Sequence, residues 1–354
     1  MTMRIDRSEW GIRLSDRVRA ALSAGHIEVA RRLVAEGDGM AKSLEKEYSL
    51  MVKGLGITIR ILLDLVEEAA GRLANDEARR ALAEVLWRFC RDMTRLVSPA
   101  EVSEPSAQES AAEMAGALAR TRLLLAQSEA RFDHEQKKLA GQILEALDRR
   151  DGTAALDLVD RKERLEFVPL HDRLVRFMAE VWGYVLERFG AEELGRFHLA
   201  TAEAQRRGFE AWERLSPTEF ARATAFLVRQ HMGDTAITEY EEKFQFELTP
   251  CGSGGRLRRD GAYEGSSPLP YVEKSAQLTF GKGKLPVYCS HCPMWNSVAA
   301  TAWFGHPQWV FDDPARADGS CTMSIYKHPE SIPAEYFRRL GLAVPAATPR
   351  PGQR

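Results

Sequence analysis

No stretch of this chain holds 18 consecutive apolar residues. The best candidate, residues 54–66, is interrupted by Arg60 and Asp64, so no membrane-spanning helix is expected. A secretory leader is not expected either, since residues 1–16 are charged throughout and have no apolar centre, which makes the cytoplasm the expected compartment. Nor is there an excess of charge of one sign. Against 49 Lys and Arg stand 51 Asp and Glu, a formal net charge of −2. A duplex-binding domain shows a basic excess, so nucleic acid is not an expected partner. A small-molecule ligand or substrate is, and the sequence leaves the oligomeric state open. Cysteine is scarce and unevenly spread: of five, only Cys90 falls in the first 250 residues, while Cys251, Cys289, Cys292 and Cys321 follow. Without a leader, clustered cysteines point to metal or reactive thiols before structural disulfides.

With 354 residues the chain exceeds what one hydrophobic core commonly serves, and two domains are expected. Residues 1–235 read as helix almost throughout. Apolar residues recur at spacings of three and four, as in Val18, Leu22, Val29 and Leu33 or Leu55, Leu62, Leu63 and Val66. Gly and Pro are rare in these segments. The stretch Ser98 to Ser110, with Pro99, Pro105 and four serines, reads as a linker. A weak internal repeat lays Ala21–Val34 over Ala146–Val159 at an offset of 125; two copies, about 14–97 and 136–232, would bury faces that neither buries alone. Cys90, among Leu86, Phe89 and Met93, belongs with the helical core. Beyond Gly233 the text changes to strand and turn. Phe244, Phe246 and Leu248 alternate with polar residues, and further strands are expected at 276–280, 285–288, 309–311 and 321–326, with one helix at 294–303. Residues 343–354 read as a disordered tail. The expected fold class is α+β: a mainly α-helical N-terminal domain followed by a small cysteine-rich α+β domain at 236–342.

The strongest chemical signal is Cys289-Ser-His291-Cys292, with Cys251 before it and Cys321 after it. A Cys-x-x-Cys pair puts two sulfurs on one turn, the separation a tetrahedral zinc ion takes, and two strand-edge cysteines would complete the set. His291 could stand in for one thiolate. An iron–sulfur cluster is the alternative cofactor; a thiol–disulfide pair and plain burial of small hydrophobes also remain open. Next comes Cys251-Gly-Ser-Gly254-Gly255-Arg256. Glycines that reach positive φ let backbone N–H groups cradle an oxyanion, which Arg256 would clamp. Gly254, Gly255, Arg256 and Lys327 are the candidate substrate-binding residues; a plain turn is the competing reading. His171 beside Asp172, and Tyr326 after the last strand, are the candidate catalytic residues.

The order Phe244-x-Phe246-x-Leu248-x-x-Cys251, Pro286-Val-Tyr288-Cys289-Ser-His291-Cys292 and Ser320-Cys321-Thr-Met-Ser-Ile325-Tyr326-Lys327 resembles a group of uncharacterised bacterial proteins that join helical repeats to a cysteine domain. It is distantly similar to the L-2-amino-thiazoline-4-carboxylate hydrolase-like family, over residues 244–327 only. The resemblance implies a cysteine-centred site acting on a small anionic molecule that contains nitrogen or sulfur. Together these readings lead to a metal-dependent enzyme, a zinc-thiolate hydrolase or lyase. The alternative is a non-enzymatic ligand-binding or interaction protein whose four-cysteine site is purely structural.

Overall fold

The computed structural model describes residues 4–72, 76–97, 114–273 and 275–344. The linker expected at 98–110, and all but the first two residues of the tail expected at 343–354, lie outside them. The described residues are mainly helical, 68% in all, with a small antiparallel sheet region. It divides into two compact units, each assembled from separate stretches of chain. The helical unit is Ile12–Tyr184 with Phe226–Met232; the α+β unit is Met1–Gly11, Val185–Ala225 and Gly233–Arg354.

In the helical unit the order is α1 (Leu14–Ser23), α2 (Ile27–Glu36), α3 (Ser49–Arg72), α4 (Asp76–Val97), α5 (Met114–Asp148), α6 (Gly152–Arg161) and the start of α7 (Val168–Ala204). Between α6 and α7 the helix widens into a π-turn over Lys162–Phe167. The α1–α2 and α5–α6 corners are built alike. After α1, His26 N–H bonds Ala21 O at 2.8 Å and Gly25 N–H bonds Leu22 O at 3.0 Å; after α5, Asp151 N–H bonds Ala146 O at 2.9 Å and Arg150 N–H bonds Leu147 O at 2.9 Å. Both are left-handed helix caps, with φ of 74° at Gly25 and 58° at Arg150. The two corners stand 125 residues apart, the offset at which the sequence overlays itself. They share one apolar core, in which Val18, Ala21 and Val34 meet Ile143, Leu147 and Val159. Each larger side chain removed from water there contributes roughly 1.5–3 kcal/mol.

The α+β unit holds the rest of α7, then α8 (Arg206–Glu213), α9 (Pro217–Arg229, through Ala225) and a five-stranded antiparallel sheet. The strands are β1 (Arg4–Asp6), β2 (Thr235–Tyr240), β3 (Lys243–Leu248), β6 (Val310–Asp313) and β7 (Cys321–Tyr326), in the order β1-β2-β3-β7-β6. A separate two-stranded ribbon pairs β4 (Tyr271–Glu273) with β5 (Lys284–Pro286). The β3–β7 register sets Phe244 opposite Ile325, Phe246 opposite Met323 and Leu248 opposite Cys321. All six are buried, so the alternation read from the sequence is the core-facing row of the sheet. Two strand expectations are corrected. Residues 276–279 form a helical turn, because Ser275 Oγ accepts the Leu278 N–H at 3.2 Å and Phe280 closes it in the left-handed region at φ 57°. The strand expected at 285–288 stops at Pro286, and Val287–Ser290 winds into a tight helical turn.

Candidate functional site

All four late cysteines belong to the α+β unit and carry free thiols. Cys321 opens β7 inside the core row. Cys251 follows β3 by three residues, and its N–H bonds Gly319 O at 3.2 Å, just before Cys321. Cys289 and Cys292 sit three apart on consecutive helical turns, Val287–Ser290 and His291–Pro293. What draws these stretches together is glycine. A Cβ at Gly254 would stand 2.7 Å from Cys289 Sγ and 3.1 Å from the Tyr288 ring, and one at Gly255 would stand 2.2 Å from Gly319 O and 3.1 Å from Cys251 Cβ. None of Gly252, Gly254 and Gly255 has a positive φ. Gly254 and Gly255 are required for lack of a side chain, not for a left-handed backbone, and residues 254–259 continue as the short helix α10 (Gly254–Arg259). The open, positive-φ anion cradle expected there is corrected to a close-packed seam.

Cys321 is buried, while Cys251, Cys289 and Cys292 are half-buried. Burial pushes the Cys289 thiol up to about 12, against the opposing pull of the Arg258 guanidinium. Burial raises Cys321 and Cys292 too, and the neighbouring sulfurs add to it: Cys251 acts most on Cys321, and Cys289 most on Cys292. His291 donates from Nδ1 to Tyr288 O at 2.5 Å, which leaves Nε2 to face Cys292 Sγ at 3.6 Å. Its ring lies edge-on to Tyr288 and Trp295, and burial lowers its pKa to about 4. Cys251 Sγ faces Ser253 Oγ at 3.6 Å. Behind the knuckle, Ser290 Oγ meets Nε2 of His198, a fully buried residue of α7, at 2.8 Å, and burial holds His198 well below the usual histidine range.

Among the described residues no group of three or more His, Cys, Asp or Glu side chains is disposed to hold a metal ion. The expected zinc centre of Cys251, Cys289, Cys292, Cys321 and His291 is therefore corrected, together with its iron–sulfur alternative. In place of a shared centre, the polar atoms here pair locally: His291 Nδ1 with the Tyr288 carbonyl, His291 Nε2 with Cys292 Sγ, and Cys251 Sγ with the Ser253 hydroxyl.

The remaining sequence candidates are dispersed. Arg256 Nε donates to Gly252 O at 3.1 Å, within its own turn. Lys327 Nζ bonds Glu239 Oε1 at 2.7 Å and lies 4.9 Å above the Phe244 ring. Tyr326 is five residues beyond Cys321 on β7, so the two point to opposite faces of the sheet; its ring packs by Tyr336. His171 belongs to the helical unit. It is fully buried, with Nδ1 2.7 Å from Asp172 Oδ1 and Nε2 2.8 Å from His231 Nδ1.

The helical unit also carries a buried charged group that sequence reasoning passes over. Glu47 takes the N–H groups of Leu14 and Ser15 at the head of α1, and burial raises its carboxyl to about 7. Glu163 accepts from Ser15, Tyr48 and Arg19. Lys162, brought down to about 8 by burial, rests its Nζ 4.8 Å from the Tyr48 ring centre. Lys162 and Glu163 are adjacent yet both buried, and the π-turn that holds them marks such inward-facing clusters.

No family profile, curated protein or solved structure matches this chain. Among the described residues, no helix is long and apolar enough to cross a membrane.

Proposed function

We propose that the protein is a thiol–disulfide redox protein, with Cys289 and Cys292 as the exchanging pair and Cys251 and Cys321 beside them. The observation that carries this reading is the packing of three separate stretches of chain, each bearing free thiols, around Gly254 and Gly255. Residues three apart on a helical turn hold their Cβ atoms roughly 5–6 Å apart, and a disulfide takes about 3.5–4.5 Å. A modest tightening of one turn therefore joins Cys289 to Cys292. The small molecule of the reaction is a disulfide, RS–SR. The Cys289 sulfur, having lost its proton, attacks one sulfur of RS–SR and expels RS⁻; Cys292, deprotonated in turn, attacks the Cys289 sulfur and expels the second RS⁻. One Sγ–Sγ bond forms, one RS–SR bond is broken, and two electrons and two protons pass to two RSH. Raised thiol pKa values keep the thiolate fraction small, so the exchange is slow at neutral pH. Free thiols persist in a reducing compartment, and on that ground we infer a cytoplasmic protein.

The test is a thiol count on the full chain before and after incubation with 2-hydroxyethyl disulfide, followed by mass mapping. Two thiols should disappear and a Cys289–Cys292 bridge should be found. In Cys292→Ser, a mixed disulfide should stay trapped on Cys289. Retention of every thiol, in protein that remains folded, would overturn the reading in favour of a cysteine core that is packing alone.

A further inference from the structure

We infer that the thiol site selects negatively charged disulfides, and that Arg258 is the residue that confers the preference. This rests on the thiol–disulfide reading and adds the class of partner. Arg258 stands one helical turn beyond Gly254, where an added Cβ would come within 2.7 Å of Cys289 Sγ. Its side chain is held in place at two points: Nε donates to Gly254 O at 3.4 Å and Nη1 donates to Arg316 O. Both acceptors are neutral main-chain carbonyls. They fix the guanidinium without cancelling its charge, as a carboxylate would.

The electrostatics around the sulfurs agree with this placement. The charged group felt most at Cys289 is Arg258, followed by the opposing Cys251 sulfur and then by the cationic Lys282, and Arg258 is felt at Cys321 as well. Lys282 Nζ is itself anchored on Pro314 O at 2.7 Å. The acidic residue nearest in sequence to Cys321 is Asp318. It is exposed, and its carboxylate is engaged by the N–H and Oγ of Ser320. An incoming disulfide that carries carboxylates meets a positive field at the sulfur it must reach, and one that carries ammonium groups meets repulsion. The mixed disulfide with Cys289 holds the same charged arm beside Arg258, so the preference acts on both encounter and intermediate.

The experiment follows loss of the Cys289 and Cys292 thiols with three probes of different charge: oxidised glutathione (anionic), 2-hydroxyethyl disulfide (neutral) and cystamine (cationic). Each rate is divided by that of the same probe with free N-acetylcysteine amide, which removes intrinsic reactivity. At low ionic strength the anionic probe should lead the cationic one by about tenfold, and the ratio should fall toward one in about 0.5 M salt. Arg258→Met should lose most of the ratio, and Arg258→Lys should keep it. The salt dependence of the unaltered protein gives the answer even where a variant folds poorly. Equal normalised rates for the three probes, with the Cys289–Cys292 bridge still forming, would overturn charge selection and leave the thiol reading standing. No bridge with any probe would overturn the thiol reading itself.

Discussion

Gly254→Ala tests the seam between α10 and the cysteine knuckle. The added methyl would stand 2.7 Å from Cys289 Sγ and 3.1 Å from the Tyr288 ring, where non-bonded heavy atoms settle at about 3.5–4.0 Å. The sulfur must therefore withdraw by about 1 Å, into surroundings already packed. Overfilling of this kind costs about 1–3 kcal/mol. Against it stands the gain of about 0.8–1 kcal/mol from replacing Gly by Ala at a helical position with ordinary φ. The net expectation is a loss of up to about 2 kcal/mol in the α+β unit. Denaturant unfolding followed by tryptophan emission reads this well, because Trp10, Trp212, Trp295, Trp303 and Trp309, five of the seven tryptophans, belong to that unit. Gly283→Ala is the control: nothing lies within 4 Å of its added methyl, and its φ is not positive, so stability should hold or rise by up to about 1 kcal/mol. The decisive comparison is Gly254→Ala combined with Cys289→Ala. Removing the sulfur should return at least about 1 kcal/mol of the loss as a coupling between the two sites. Strict additivity of the two substitutions would show that the seam does not depend on contact with Cys289.

Glu47 gives a pH signature. Its carboxyl rises from an ordinary 4.5 to about 7 on folding, so the folded state holds the proton more tightly, and stability falls as pH climbs from about 4.5 through 7. Glu47→Gln should therefore be relatively most stable above pH 7 and lose that advantage toward pH 5, by an amount of up to about 3 kcal/mol; a pH-independent difference would contradict this. His291 works in the opposite direction. Burial drops it from 6.5 to about 4, so its contribution is complete above pH 6.5 and is lost as pH falls toward 4; His291→Gln should flatten that acid limb of the α+β unit's unfolding curve. For Cys289, pushed up to about 12, the alkylation rate by iodoacetamide under native conditions should rise about tenfold for each pH unit between 7 and 9. A plateau below pH 9 would refute a buried, protonated thiol.

Much of this arrangement is legible in the order of the residues. The strand from Cys321 to Tyr326 runs where alternation places it, the helices of the first two hundred residues follow their apolar spacing, and the late cysteines do fall in one unit. The glycines mislead for a physical reason: a sequence records that a side chain is missing, not whether its absence serves a left-handed turn or a close approach. At Gly254 and Gly255 it serves approach. Tyr326 is near Cys321 in sequence, yet five steps along a strand place it on the other face. Nothing local marks His198 as a partner of Ser290, 92 residues away. Lys162 and Glu163 escape notice because the π-turn that buries two charged neighbours leaves no signal in composition. Arg258 reads as surface because the two carbonyls that hold it belong to backbone, one of them 58 residues further on.

The pairing of β1 with β2 also has a consequence in time. Arg4, Ile5 and Asp6 lie against Tyr240, Glu239 and Thr238, so this strand, once it leaves the ribosome, has no partner until some 230 more residues have been made. At translation rates of about 5–20 residues per second, that wait is on the order of tens of seconds. During it, nearly all of the helical unit becomes available to fold, while a three-residue strand has too few bonds to hold any shape alone. Only once β2 has been made can β1 pair, as the edge strand of the sheet. A bulky fusion ahead of residue 4 would reach the newborn protein at that step. It would leave the N–H and C=O groups of β2 open to pairing with other chains, even though the thiol site, made from residues beyond 250, would be chemically intact.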